Sequence, residues 1–282
     1  MKQSLVVLAL AGLSAAGWAA DPKQELNVAS RKRLTSVETQ TVIENGATKT
    51  VAVKLSVPMT VAAKIDPART AVVVCDMWDD HWCKSASARC AELAKAADPV
   101  LKACRDRGMT IIHCPSDTMK FYEDHPARKR MLAVEKATPP KSKGLPNPPL
   151  PVDDSDGGCD DEKPAKMFKA WTRQHAAIAI DADRDYVTDS GAEVYSLMAA
   201  KKLDTLIVMG VHTNMCVLNR TFAIKQMVKW GKTVYLVRDL TDAMYNPKMK
   251  PFVTHQRGTE MIVEFIEEHW CPTIESKHLL GK

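Results

Sequence analysis

The sequence predicts an α/β fold built on a mostly parallel sheet, with an antiparallel β-ribbon ahead of it. Three observations carry that reading. From Thr70 onward, short β-branched runs alternate with helical segments, the rhythm of strand–helix–strand units joined by right-handed crossovers. Those runs, Ala71-Val72-Val73-Val74-Cys75 among them, are apolar without alternation, as strands covered on both faces are. The 282 residues are 45% hydrophobic and 26% charged, enough to bury a large core and unlike a disordered or collagen-like chain.

The chain begins MKQSLVVLALAGLSAAGWAADPKQE. Lys2 gives a positive start, Leu5 to Ala16 an apolar stretch too short to span a bilayer, and Gly17 to Ala20 a small-residue exit. Residues 1–20 therefore read as a signal peptide, with the mature chain starting near Asp21 in the periplasm or outside the cell. No later apolar run reaches membrane-spanning length. Leu34 to Val61 is rich in Thr and Val around Asn45-Gly46, which suits a two-residue hairpin turn, so residues 21–66 read as the β-ribbon extension.

Residues 67–282 form the main domain. Its first strand is Ala71–Cys75, followed by a helix from about Ser87 to Arg107 that Gly108 stops. Met109 to Cys114 is the second strand and Ala177 to Ile180 a weaker third. Ser190 to Lys201 is helical, and Thr205 to Met209 is the fourth strand. Met215 to Trp230 is a helix closed by Gly231, Thr233 to Val237 the fifth strand, and Gly258 to His269 the last helix. Residues 139–164 interrupt this rhythm with seven prolines and an acidic cluster; they can be neither helix nor central strand. The insertion reads as a surface loop or as a lid, since it follows a strand whose carboxyl end should face a site. Asp153 to Gly157 resembles a calcium loop only in part, because Val152 and Lys163 stand where ligands should.

The formal charge is +5 with 34 acids interleaved among the bases, so no basic stripe marks a nucleic-acid site. The expected partner is a small-molecule substrate, with no nucleic acid, no membrane after leader removal, and a homo-oligomer left open. Eight cysteines remain after the leader, none in CxxC spacing. This argues against a zinc ribbon or thioredoxin motif, while an oxidising compartment permits disulfides.

Ligands of an open parallel sheet bind beyond the carboxyl ends of its strands. There the sequence places Asp76 to Trp82, then His113, Cys114 and Asp117, then Asp181 to Asp185, then Gly210 to Cys216, then Arg238-Asp239. Cys216 lies where a strand turns into a helix, a position that favours the nucleophilic thiolate. Asp76 could take its proton and return it to a leaving group. A buried small hydrophobe and a helix cap would also account for this pair. Trp78 and Trp82 suit either core or a substrate wall, and His212 either a substrate contact or a strand end. Tyr245 to His255 forms a further loop on this edge, closing the pocket or making a subunit contact.

The stretch Val208-Met209-Gly210-Val211-His212-Thr213-Asn214-Met215-Cys216-Val217, with Thr221 and Ala223, resembles the nucleophile motif of the isochorismatase-like cysteine hydrolases, a superfamily that includes nicotinamidases. Ala71 to Asp76 is similar to its first strand and catalytic aspartate, and Val237 to Thr241 to its fifth-strand ending. The likeness runs from about Thr70 to Ile274. It implies a three-layer doubly wound sheet, an Asp-Lys-Cys triad and a cis peptide near Val211-His212 that aims backbone N–H groups at an oxyanion. His81 falls where the family often has an aromatic ring that stacks on substrate, and Trp78, His212 and Thr213 are further candidate substrate contacts.

Two departures from the family pattern stand out. The lysine should follow the third strand, yet Ile180 to Tyr186 contains none. Arg184 is expected to point into the pocket and supply the charge, with Arg173 as the other candidate, although arginine gives up a proton less readily than lysine. Nicotinamidases hold a divalent ion after the second strand; Asp117 and His125 fit by spacing, but Met119 stands where the nearer histidine would be. Two ligands and a methionine make a poor zinc site, so no cofactor is expected, with a divalent metal as the open alternative. The functional expectation is an exported cysteine hydrolase acting on an amide-type C–N bond of a small molecule through a thioester. The alternatives are an inactive binding or structural protein on the same fold, and isochorismatase-type ether hydrolysis, which needs no thiol.

Overall fold

The computed structural model describes residues 24–44 and 47–281. The leader and the Asn45-Gly46 turn expected from the sequence lie outside the described residues. Strands β1 (Leu26–Glu44) and β2 (Ala47–Ile65) form the ribbon, each 19 residues long and paired antiparallel in one unbroken register. The ribbon is longer than its Thr/Val-rich middle suggested.

The main sheet alternates strand and helix as expected. It contains β3 (Thr70–Cys75), α1 (Lys84–Asp106), β4 (Thr110–Cys114), α2 (Pro126–Leu132), β5 (Tyr186–Val187) and α3 (Gly191–Ala200). There follow β6 (Thr205–Val211), α4 (Cys216–Asn219), α5 (Ile224–Lys229), β7 (Thr233–Asp242), α6 (His255–His269), β8 (Thr273–Ile274) and α7 (Ser276–Leu280). The strand order is β2-β1-β8-β7-β6-β3-β4-β5. Strands β3 to β8 run parallel, and β1 joins β8 antiparallel at Arg31 and Thr273.

The unbroken apolar runs of β3, β4 and β6 are buried on both faces. One face packs Cys90, Ala94, Ala97 and Leu101 of α1 with Leu279 of α7, and the other packs side chains of α3 to α6. This is a three-layer, doubly wound α/β fold. The chain moves outward from β3 to β4 and β5, then returns to β6 on the other side of β3. The carboxyl ends of β3 and β6 therefore flank the topological switch point, where such sheets open a crevice.

Two expectations change. Ala177 to Ile180 is not a strand; the third parallel strand is Tyr186–Val187, and Ile178 is buried against the α1 face from a loop. The helix expected over Met215 to Trp230 is broken into α4 and α5. At the break Arg220 takes an extended conformation and Phe222 is fully buried. Thr221 accepts the Gly191 N–H at 3.0 Å, and a Cβ on Gly191 would lie 2.1 Å from the Thr221 carbonyl. The interruption thus lets the chain meet the start of α3 backbone against backbone.

No helix or strand forms between α2 and β5, so the irregular segment extends on both sides of the proline-rich insertion. Its acidic cluster binds no carboxylate cage but fastens the segment to the body. Asp161 accepts the Lys84 and Ser85 N–H groups at 2.9 and 2.8 Å, capping α1 where its own N-cap residue Cys83 makes no capping hydrogen bond with its side chain. Asp160 accepts from both terminal nitrogens of Arg89, and a disulfide joins Cys83 to Cys159. Asp154 accepts from Asn214 Nδ2 at 2.7 Å, tying the segment to the turn that leads into Cys216.

Candidate active site

Asp76 follows β3 directly and Cys216 opens α4 beyond β6, so adjacent parallel strands bring together residues 140 positions apart. Asp76 has a positive φ of 49°, a conformation that aspartate tolerates better than most residues. Gly210, in the neighbouring strand, is required by crowding: at φ +123° a Cβ there would lie 2.0 Å from the Cys75 carbonyl oxygen. The Val211-His212 peptide is cis.

Asp76 is fully buried. Its Oδ1 accepts the Ser116 N–H at 2.7 Å and its Oδ2 accepts from Arg220 Nε at 3.1 Å. The Cys216 thiol lies close enough to the same carboxylate for each group to perturb the other's titration. Burial raises the Asp76 pKa, and Arg220, the Ser116 amide and the thiol pull it partly back. Cys216 goes the other way from expectation: burial first, and then the Asp76 charge, push its pKa well above the ordinary thiol value, with Arg220 opposing. The resting thiol is therefore neutral. The end of a single-turn helix does not outweigh desolvation beside a negative charge.

The positive group is Arg220, which the sequence reading did not consider. It lies four residues after Cys216, the spacing that puts two side chains on one helical face. Its Nη2 also reaches Asp117 Oδ2 at 3.2 Å, so the guanidinium is held between two carboxylates. Arg184 is elsewhere: it is more than half exposed and pairs with Asp181 three residues back, 2.7 Å away. The Asp181–Asp185 turn precedes β5 and turns that side chain outward. Arg173 pairs with Asp79 at 3.8 Å and lies over the Phe121 ring. No lysine follows β5, where Thr188 is buried and donates to Glu193.

An aromatic wall stands beside the acid. Trp78 is buried, donates Nε1 to the Ser116 carbonyl, and stacks on Trp171 with centroids 4.2 Å apart. His81 lies nearly parallel to both rings, 5.7 Å from Trp171 and 6.3 Å from Trp78, and meets His212 edge-on at 4.9 Å. Burial lowers the pKa of His81 to about 4 and of His212 to about 3, so both imidazoles are neutral at pH 7. His212 Nε2 and Trp171 Nε1 are buried without a hydrogen-bond partner. Trp171 comes from the irregular segment, which the sequence reading marked only as far as residue 164. Thr213 does not reach this wall; its hydroxyl pairs with that of Thr241 at 2.7 Å and its N–H goes to the Asp242 carbonyl.

The residues after β4 do not fit a divalent ion. Asp117 is committed to Arg220, and His125 accepts the Ala127 N–H through Nδ1 to cap α2. Asp79 accepts from Thr172 and Arg173, and His81 Nδ1 accepts the Cys83 N–H. Asp79, Asp117 and the Nδ1 atoms of His81 and His125 are thus each engaged within the protein.

No protein-family model and no curated protein matches the chain. Among solved structures, it is similar to a cysteine hydrolase from Pseudomonas syringae pv. phaseolicola, at 18% identity over 77% of this chain and 95% of that one, with a TM-score of 0.47. It is also similar to an isochorismatase family protein from Burkholderia thailandensis, at 12% identity over 77% and 98% of the two chains, with a TM-score of 0.45.

Proposed function

We propose that this chain is an exported cysteine hydrolase that cleaves an amide-type C–N bond of a small molecule through a thioester on Cys216. The observation that carries the reading is Cys216 set beside buried Asp76 at the switch point of the sheet, with Arg220 on that carboxylate. Because the thiol is neutral at rest, attack and deprotonation belong to one step: Asp76 takes the Sγ proton as sulfur bonds to the carbonyl carbon. The proton then passes from Asp76 to the leaving nitrogen as the C–N bond breaks. Water attacks the resulting thioester with Asp76 again as base, releasing the acid and restoring the thiol.

Arg220 stays charged throughout, since guanidinium does not deprotonate in proteins. Its role is electrostatic: it offsets the negative charge carried in turn by Asp76 and the sulfur. The Met215 and Val217 N–H groups are both committed to the His212 carbonyl, so they are not available to a developing oxyanion. The aromatic wall of Trp78, Trp171 and neutral His81 favours a flat, uncharged substrate. The Cys83–Cys159 disulfide supports export, because such bonds persist in oxidising compartments.

Purified protein and its Cys216→Ala variant assayed against a panel of small amides test the reading. Turnover that disappears with Cys216 is expected. Amide turnover that survives would remove Cys216 from the nucleophile's role, and ligand binding by both proteins without turnover would point to a binding protein.

A further inference from the structure

Residues 47–65 alternate strictly in their middle: Val51, Val53, Leu55, Val57, Met59 and Val61 are apolar, and the residues between them are mostly polar or small. In the antiparallel pair, residues directly opposite share a face. The apolar row of β2 therefore lies with Leu34, Lys32, Ser36 and Glu38 of β1, which pair with Val57, Met59, Leu55 and Val53. The opposite face is the one that meets the body, where Arg31 bonds Glu267, Arg33 pairs with Glu264, and Lys54 and Ser56 both reach Glu268 on α6. At the foot of the ribbon the apolar row continues into Ala63 and Ile65, which pack with Leu26, Val28 and α7. Beyond that foot it is partly open to solvent: Leu34 and Val57 are more than half exposed, and Val51, Val53, Leu55 and Met59 are half-buried.

An alternation of this kind specifies burial of one face, and a two-stranded ribbon is marginal in water by itself. The pattern also has a centre. About Thr35 and Ser56, which are opposite each other, the apolar row is symmetric: Leu55 mirrors Val57, Val53 mirrors Met59, and Val51 mirrors Val61. On β1 the same centre relates Lys32 to Glu38, and neither has an ion-pair partner among the described residues. A second ribbon laid face to face across a two-fold axis through that centre sets apolar row on apolar row. It also sets Lys32 against Glu38 of the partner subunit, twice.

We propose that two copies of this chain associate through the apolar faces of their ribbons, with the two-fold axis at Thr35 and Ser56. Both contributions to such an isologous contact come from one surface, as closed dimers require. Pairing through the free edge of β2 is disfavoured by Pro58, which cannot donate to a ladder. The shared stripe is roughly 35 Å long and about 10 Å wide, an interface in the size range of weak, transient contacts.

Sedimentation velocity of the purified protein from 2 to 200 µM tests this. A monomer–dimer equilibrium is expected, weakened at least tenfold by Val57→Asp. Lys32→Glu and Glu38→Lys should each weaken self-association, and an equimolar mixture of the two should form mixed dimers. The charge variants leave the apolar row intact, so they decide the matter should Val57→Asp disturb folding. A monomer throughout, or a dimer indifferent to these substitutions, would overturn the proposal.

Discussion

Arg220 Nε donates to Asp76 Oδ2 over 3.1 Å, and the same guanidinium reaches Asp117 through Nη2. This puts a permanent cation beside Asp76 and the Cys216 thiol, from the turn that Cys216 opens. A lysine in that place could exchange a proton; arginine can only hold charge and geometry.

Arg220→Gln should therefore lower turnover by on the order of 10²–10³-fold, the usual loss when one electrostatic stabiliser is removed from a preorganised site. Without the cation, the pH midpoint for alkylation of Cys216 should also move further upward. Arg184→Ala should change neither quantity, because that side chain pairs only with Asp181 and bonds none of the site residues.

Asp76→Asn should separate reactivity from catalysis. Burial and then the Asp76 charge raise the Cys216 pKa, so in the native protein alkylation rises with pH and has its midpoint above the ordinary thiol range. Removing the like charge should lower that midpoint and speed alkylation at pH 8. Turnover should nonetheless fall by about 10²–10⁴-fold, the contribution of a general base. Iodoacetamide rates across pH, alongside an activity assay, provide the check.

The disulfide should stabilise the fold chiefly by closing a long loop. Cys83 and Cys159 are 76 residues apart, for which chain entropy gives about 4 kcal/mol. Cys83→Ser should lower Tm, and a reductant should lower the Tm of the native protein but not that of the variant.

Asp185 supplies an acid-sensitive contribution. Burial alone would raise its pKa, but bonds from His113 and Arg105 outweigh that and bring it to about 2. A depressed carboxyl pKa stabilises the fold at pH values above its unfolded value near 4, and that stabilisation is lost as pH falls from 4 toward 2. Asp185→Asn, which strands the buried Arg105 guanidinium, should cost about 3–5 kcal/mol at pH 7. The variant should also show a flatter dependence of denaturation midpoint on pH between 4 and 2.

Much of the architecture was legible because buried parallel strands write themselves as short apolar runs. Asp76 and Cys216 were legible as residues at the ends of two such runs. The third strand was misplaced because β5 has only two residues, while Ala177 to Ile180 has the composition of a strand and is used as loop. Arg220 went unread because Met215 to Trp230 looks like one continuous helix, on which a surface arginine has no special meaning. Its signal was the four-residue spacing from Cys216. The roles of Trp171 and Asp154 depend on how an irregular segment folds back over the sheet, and no periodicity encodes that. The thiol's neutrality followed from burial, a tertiary property that outweighed the local effect of a helix start.

The central claim is that Cys216 carries the reacting group covalently. Acid quench of the protein within seconds of mixing with a small-amide substrate, followed by peptide mass mapping, tests it most directly. The account predicts an acyl adduct on the peptide containing Cys216, accumulating in the native protein and absent from Cys216→Ala. Substrate turnover with no adduct on Cys216, or an adduct on another residue, would contradict it.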